Sequence, residues 1–150
     1  TQVKIIVPTS QGEGLVWRYT FEKPADGWFK PDFDAAAWKQ GPAGFGTKGT
    51  PGSVVRTEWK TSDIWLRREF ELPEISLDNL CLMLHHDEGA EVYINGILAA
   101  KTSDYTTEYQ EADLTKEAKA ALKPGKNTIA IHCHQTQGGQ YIDCGMAEVK

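Results

Sequence analysis

Apolar side chains recur at every second position in several separate stretches of this chain, and that spacing restricts it to sheet structure. Trp17, Tyr19 and Phe21 share one face of residues 15–21. Ile64, Leu66, Phe70 and Leu72 share one face of residues 64–72, with Arg68 the exception, and Leu80, Leu82 and Leu84 share one face of residues 80–86. Alternation of this kind is what a strand with one buried face requires. Residues 2–7 are rich in β-formers and stop at Pro8. In Glu91-Val92-Tyr93-Ile94-Asn95-Gly96-Ile97-Leu98, Asn-Gly joins two short apolar runs. Both residues accept positive φ, which the twist of a two-residue hairpin favours, so this segment is predicted as a β-hairpin.

Helix signals are few. Leu114, Ala118 and Leu122 form a narrow stripe at i, i+4 and i+8, ended by Pro124-Gly125. A single turn at residues 35–38 is expected, with Asp34 as its N-cap. Residues 41–62 are rich in Gly, Pro and Thr and read as loop. No repeat or linker divides the chain, and 150 residues suit one domain, so residues 1–150 are expected to form a single antiparallel all-β sandwich with one short helix. A chain of this length buries enough surface to need neither a metal nor a disulfide for stability.

Hydrophobic residues make up 40% and charged residues 25%, an ordinary globular balance. With 21 acidic against 16 basic side chains the formal net charge is −5, which repels phosphate backbones and argues against nucleic acid as a partner. No apolar run approaches the ~20 residues of a membrane span, and no signal peptide opens the chain. The chain begins at Thr1 rather than Met, which suggests a mature product or an excised domain.

Residues 129–134 and 141–146 flank Gly138-Gly139. If those glycines form a two-residue turn, Cys133 faces Cys144 and Ile131 faces Met146. Ile129, Ile131, Cys133, Ile142, Cys144 and Met146 then occupy one side, and His132, His134, Tyr141 and Asp143 the other. Cys133 and Cys144 at such a spacing suit either a cross-strand disulfide or two buried thiols, and free thiols are favoured. His132 and His134 on one strand face can chelate zinc, yet no third ligand stands at a characteristic spacing, and a His134–Asp143 polar pair accounts for them equally well.

Motifs for catalysis are weak. Gly44-Phe45-Gly46-Thr47-Lys48-Gly49 matches G-x-G-x-x-G only as a string, because Pro42 precedes it and Thr50-Pro51-Gly52 leaves no helix to follow. His85, His86, Asp87 and Glu88 could do acid–base work if they converged in a pocket, but they read more simply as a polar loop tip. Trp59 stands between Glu58 and Lys60, near Arg56 and Asp63. An aromatic side chain in a polar loop is either a stacking platform for a sugar ring or an anchor folded onto the sandwich. Loops 56–63, 87–91 and 135–140 are expected at one end of the sandwich, where binding sites are commonly built.

Four segments in order now suggest a family: residues 28–38 (WFKPDFDAAAW), 64–70 (IWLRREF), 86–96 (HDEGAEVYING) and 122–130 (LKPGKNTIA). Together they resemble the galactose-binding-like jelly-roll domains appended to bacterial glycoside hydrolases, including the sugar-binding domain of the family 2 enzymes. The likeness covers roughly residues 16–149. It implies a jelly-roll sandwich without catalytic activity, an accessory module of a larger glycoside hydrolase that is secreted, periplasmic or held at the cell surface. Such domains either bind carbohydrate or buttress the catalytic domain, and several relatives carry structural calcium. The expectation carried forward is a carbohydrate-binding module. Trp59 would stack on the sugar, Arg56 and Asp63 would bind hydroxyls, and His86, Asp87, Glu88 and Gln140 would line the adjoining loops. The alternative is a domain that packs against its catalytic neighbour, which predicts that Trp59 is buried or lies on a flat apolar surface rather than beside a cleft.

Overall fold

The computed structural model describes residues 2–150. In chain order the elements are β1 (Val3–Val7), β2 (Val16–Thr20), β3 (Lys39–Pro42), β4 (Phe45–Gly46), β5 (Thr57–Glu58), β6 (Asp63–Leu72), β7 (Leu80–Asp87), β8 (Ala90–Ile94), β9 (Ile97–Lys101), β10 (Gln110–Asp113), α1 (Lys116–Ala121), β11 (Gly125–His134) and β12 (Tyr141–Val149). The first sheet runs β10-β7-β12-β4-β5, with β1 also on β12; the second runs β3-β2-β6-β11-β8-β9. Pairing is antiparallel except between the two-residue strands β4 and β5. The expected all-β jelly-roll sandwich with one short helix is what the chain forms.

Alternation builds the core as read. Ile64, Leu66, Phe70 and Leu72 of β6 meet Leu80, Leu82 and Leu84 of β7 in one buried cluster, joined by Val92 and Ile94 of β8. Burying each such side chain stabilises the fold by ~1.5–3 kcal/mol. The Asn95-Gly96 turn takes φ values of 50° and 86° and pairs Ile94 with Ile97. Asn95 also donates to the Ala121 carbonyl at 2.9 Å and accepts from the Thr128 amide at 2.8 Å, so the hairpin tip is tied to α1 and β11. Thr115 caps α1 by accepting from the Ala118 amide, and Ala118 is buried against β9.

The C-terminal register is a correction. β11 pairs with β6 and β8, whereas β12 pairs with β7, β1 and β4. Residues 135–140 therefore cross from one sheet to the other and do not close a hairpin. Ile129, Ile131, Cys133, Ile142, Cys144 and Met146 all enter the same core, but from opposing sheets. Cys81, Cys133 and Cys144 are free and buried, as favoured. The His134–Asp143 pair falls with the register.

The loop reading of residues 41–62 is incomplete, because β4 and β5 lie within it and carry buried Phe45 and Trp59 onto the first sheet. Residues 35–38 make the expected turn: Asp34 Oδ1 accepts the Ala36 amide at 2.9 Å, and the Trp38 amide donates to Ala35 at 3.0 Å. Arg67 holds this loop over the outer face of the second sheet, donating to the Trp28 carbonyl at 2.7 Å and the Lys30 carbonyl at 2.8 Å.

Candidate functional site

Three connections do meet at one end of the sandwich. The Gln135 amide donates to Ser62 at 2.7 Å, the His134 amide to Gly89 at 3.0 Å, and Gln140 Nε2 to the Thr61 carbonyl at 3.0 Å. Of the seven residues expected here, Asp63, Glu88 and Gln140 are brought together around this junction. Asp63 Oδ1 accepts from His132 Nε2 at 2.7 Å and His134 Nδ1 at 2.8 Å. The hydrogen bonds from these imidazoles hold the Asp63 carboxyl below its ordinary range, outweighing the larger single effect of burial, which acts the other way. Glu88 accepts from the Thr136 amide and hydroxyl, bonds that lower its pKa.

The others take different roles. Trp59 is 0% exposed; its Nε1 donates to Thr61 Oγ1 at 3.1 Å and the Asp63 carbonyl at 3.2 Å. It presents no face to a sugar ring, so the stacking role expected for it is corrected: it belongs to the core. The reason is alternation over a short run, with Glu58 and Lys60 outward on either side of an inward indole. Arg56 stands away from the junction and donates to the Ser10 carbonyl from Nη2 at 2.7 Å. His86 is buried, with Nδ1 at 3.0 Å from the Glu88 carbonyl oxygen.

Asp87 is buried on the outer face of the first sheet, opposite Tyr141, and burial, with a smaller push from Glu88, raises its carboxyl to about 6. The unfolded chain therefore ionises this group before the folded chain does. The stability it lends below pH ~3.8 is lost as pH rises through about 6. Asp87→Asn should match the parent near pH 4 and exceed it by about 1–2 kcal/mol at pH 7, after allowance for water that still reaches the carboxyl. Melting curves of both proteins across that window check this. A gap that does not widen with pH contradicts it.

The acid–base grouping of His85, His86, Asp87 and Glu88 does not converge. Strand period places His85 and Asp87 on the outer face and His86 on the inner one. His85 sits instead beside a buried polar network that sequence reading missed. Asp143 Oδ2 accepts from the Ser10 amide at 2.7 Å and the Tyr109 hydroxyl at 2.6 Å, and the Tyr109 and Tyr141 hydroxyls lie 2.6 Å apart. Burial also keeps the His85 pKa low. Asp87 and Glu88 likewise do not come together: Asp87 is buried opposite Tyr141, and Glu88 is engaged with Thr136.

A cleft of about 450 Å³ lies on the outer face of the second sheet, beside the loop that Arg67 holds. Arg18, Gln40, Asp34, Glu69 and Thr128 line it together with Phe33. None of the seven expected site residues belongs to it. The available signal was the outward position of Arg18 and Arg67, which period-two reading puts on one face, although their cross-strand pairing was not legible.

Two facing sheets, antiparallel apart from the β4–β5 pair, with a loop-rich end define the class: a β-sandwich domain, whose fold is shared by part of a family 2 glycoside hydrolase from Bacteroides cellulosilyticus (16% identical, TM-score 0.61 over 89% of this chain and 20% of that one). Among solved structures, a β-glycosidase from Bacteroides vulgatus is 16% identical, with a TM-score of 0.60 over 99% of this chain and 20% of that one. A calcium-binding mutant of Bacteroides uniformis β-glucuronidase 2 is 14% identical, with a TM-score of 0.62 over 97% of this chain and 18% of that one. At such identities the likeness is one of fold. No family model matches the sequence. A curated α-L-rhamnosidase from Streptomyces avermitilis is 29% identical over 85% of this chain, which spans 13% of that relative's length.

Proposed function

We propose that this chain is a non-catalytic sandwich domain of a larger, exported glycoside hydrolase, and that it serves by packing against that enzyme's catalytic part. The burial of Trp59 favours packing over sugar recognition, because it removes the aromatic platform on which the recognition reading rested. Size agrees with a subordinate role, since the chain spans 17–29% of the glycoside hydrolases that share its fold. Val3 and Ile5, each 55% exposed, add apolar surface on β1, a strand that pairs with β12 alone. Among the described residues no helix is long and apolar enough to cross a membrane.

The test is calorimetric titration of the 150-residue chain with a panel of plant and host oligosaccharides, alongside assays on chromogenic glycosides. Neither binding nor turnover is expected. Saturable binding would transfer support to a second reading, a carbohydrate-binding module. What favours that reading is the cleft, whose planar Arg, Gln and carboxylate groups suit vicinal hydroxyls beside the Phe33 ring. In that case Arg18→Ala should abolish the binding.

A further inference from the structure

Pairing of β6 with β11 supplies what the His-x-His sequence lacked, a third donor. Asp63 is the direct cross-strand partner of His134, and His132 lies two residues away on the same face. Both imidazoles reach one oxygen, Asp63 Oδ1, from His132 Nε2 at 2.7 Å and His134 Nδ1 at 2.8 Å. Behind His132, its Nδ1 faces Glu91 Oε1 of β8 at 3.5 Å. Trp65 stacks on the same ring, centroid to centroid at 4.8 Å and 4° from parallel, which fixes its plane. The group opens to water, His134 being 54% exposed.

We propose that Asp63, His132 and His134 bind a divalent transition-metal ion of the zinc type, with Glu91 orienting His132 from behind. Two imidazoles and one carboxylate suit Zn²⁺ or Cu²⁺ rather than Ca²⁺ or Mg²⁺, whose ligands are oxygens. Three protein ligands leave the fourth position to water, and a carboxylate behind a metal-bound histidine is a common way to fix its tautomer. No three such side chains among the described residues are already spaced for an ion: these donors stand at hydrogen-bond spacing, 2.7 and 2.8 Å from Asp63 Oδ1. Metal–ligand bonds of ~2.0–2.2 Å require them to part by roughly half an ångström. His134, the exposed last residue of β11, allows that movement.

The proton balance closes. With both rings neutral and donating to Asp63, His132 shifts its proton to Nδ1, where Glu91 accepts it, and His134 shifts its proton to Nε2, where water accepts it. Both facing nitrogens are then free to coordinate, with no net proton release. This site is independent of whether the domain packs or binds glycan.

The experiment uses the tag-free, chelator-treated 150-residue chain, titrated with zinc sulfate by calorimetry and with Cu²⁺ by tryptophan quenching. One equivalent should bind, and Trp65 should report the copper. His134→Gln, at an exposed position, should keep the melting temperature and weaken binding at least tenfold. Glu91→Gln should weaken it by about 10–100-fold, the usual effect of removing a carboxylate behind a metal-bound histidine. Absence of saturable binding would overturn the proposal and leave a hydrogen-bonded cluster only. So would binding that His134→Gln does not change.

Discussion

Trp59→Ala is expected to destabilise the chain by about 3–5 kcal/mol, the range for deleting a fully buried large aromatic side chain. The indole is 0% exposed, packs in the main core cluster and donates to two acceptors through Nε1. Alanine leaves a cavity and removes the indole donor from Thr61 Oγ1 and from the Asp63 carbonyl, which keeps the Thr61 hydroxyl as a donor, so the cavity accounts for most of the loss. Trp59→Phe should cost less, because most of the volume is retained. Urea denaturation of the three proteins measures the differences. A sugar platform would behave in the opposite way, with an unchanged midpoint and lost glycan binding.

Asp143→Ala is expected to cost about 2–4 kcal/mol, through a different mechanism. Its carboxylate is 3% exposed and accepts from the Ser10 amide and the Tyr109 hydroxyl. Alanine strands buried donors, each worth ~1–3 kcal/mol when left without a partner. The location explains the chemistry. β12 is buried on both faces, its inner face by the core and its outer face by residues around Ser10, Val54 and Tyr109. A covering made of loop brings backbone polar groups with it, so the sheet beneath must answer them. Tyr109→Phe should show a smaller loss in the same denaturation series, and no loss in either variant would mean that water already satisfies the network.

How much of this was legible differs by residue. Asn95-Gly96 announced its hairpin because the turn needs positive φ at two adjacent positions, a local requirement. The inward sets on β6 and β7 were equally local. Alternation, however, assigns a face and not a partner. Ile131 and Met146 both point inward, and nothing in their spacing says that they do so from opposite sheets. The Asp63–His132–His134 junction failed to appear for the same reason: it joins residues 69 and 71 positions apart. Glu58-Trp59-Lys60 was different. Its polar–apolar–polar order is the alternation signature itself, but two paired residues in β5 are too short a run to recognise. The Ser10–Tyr109–Asp143 network joins three distant segments and left no sequence signal.

Hydrogen exchange at the indole N–H of Trp59, followed by NMR with and without added oligosaccharide, tests most directly whether this end of the molecule is core or binding platform. A core indole held by Thr61 and Asp63 should exchange slowly, and its resonance should not move when oligosaccharide is added. Exchange at the rate of free indole, or a resonance that shifts as glycan is titrated, would contradict the account.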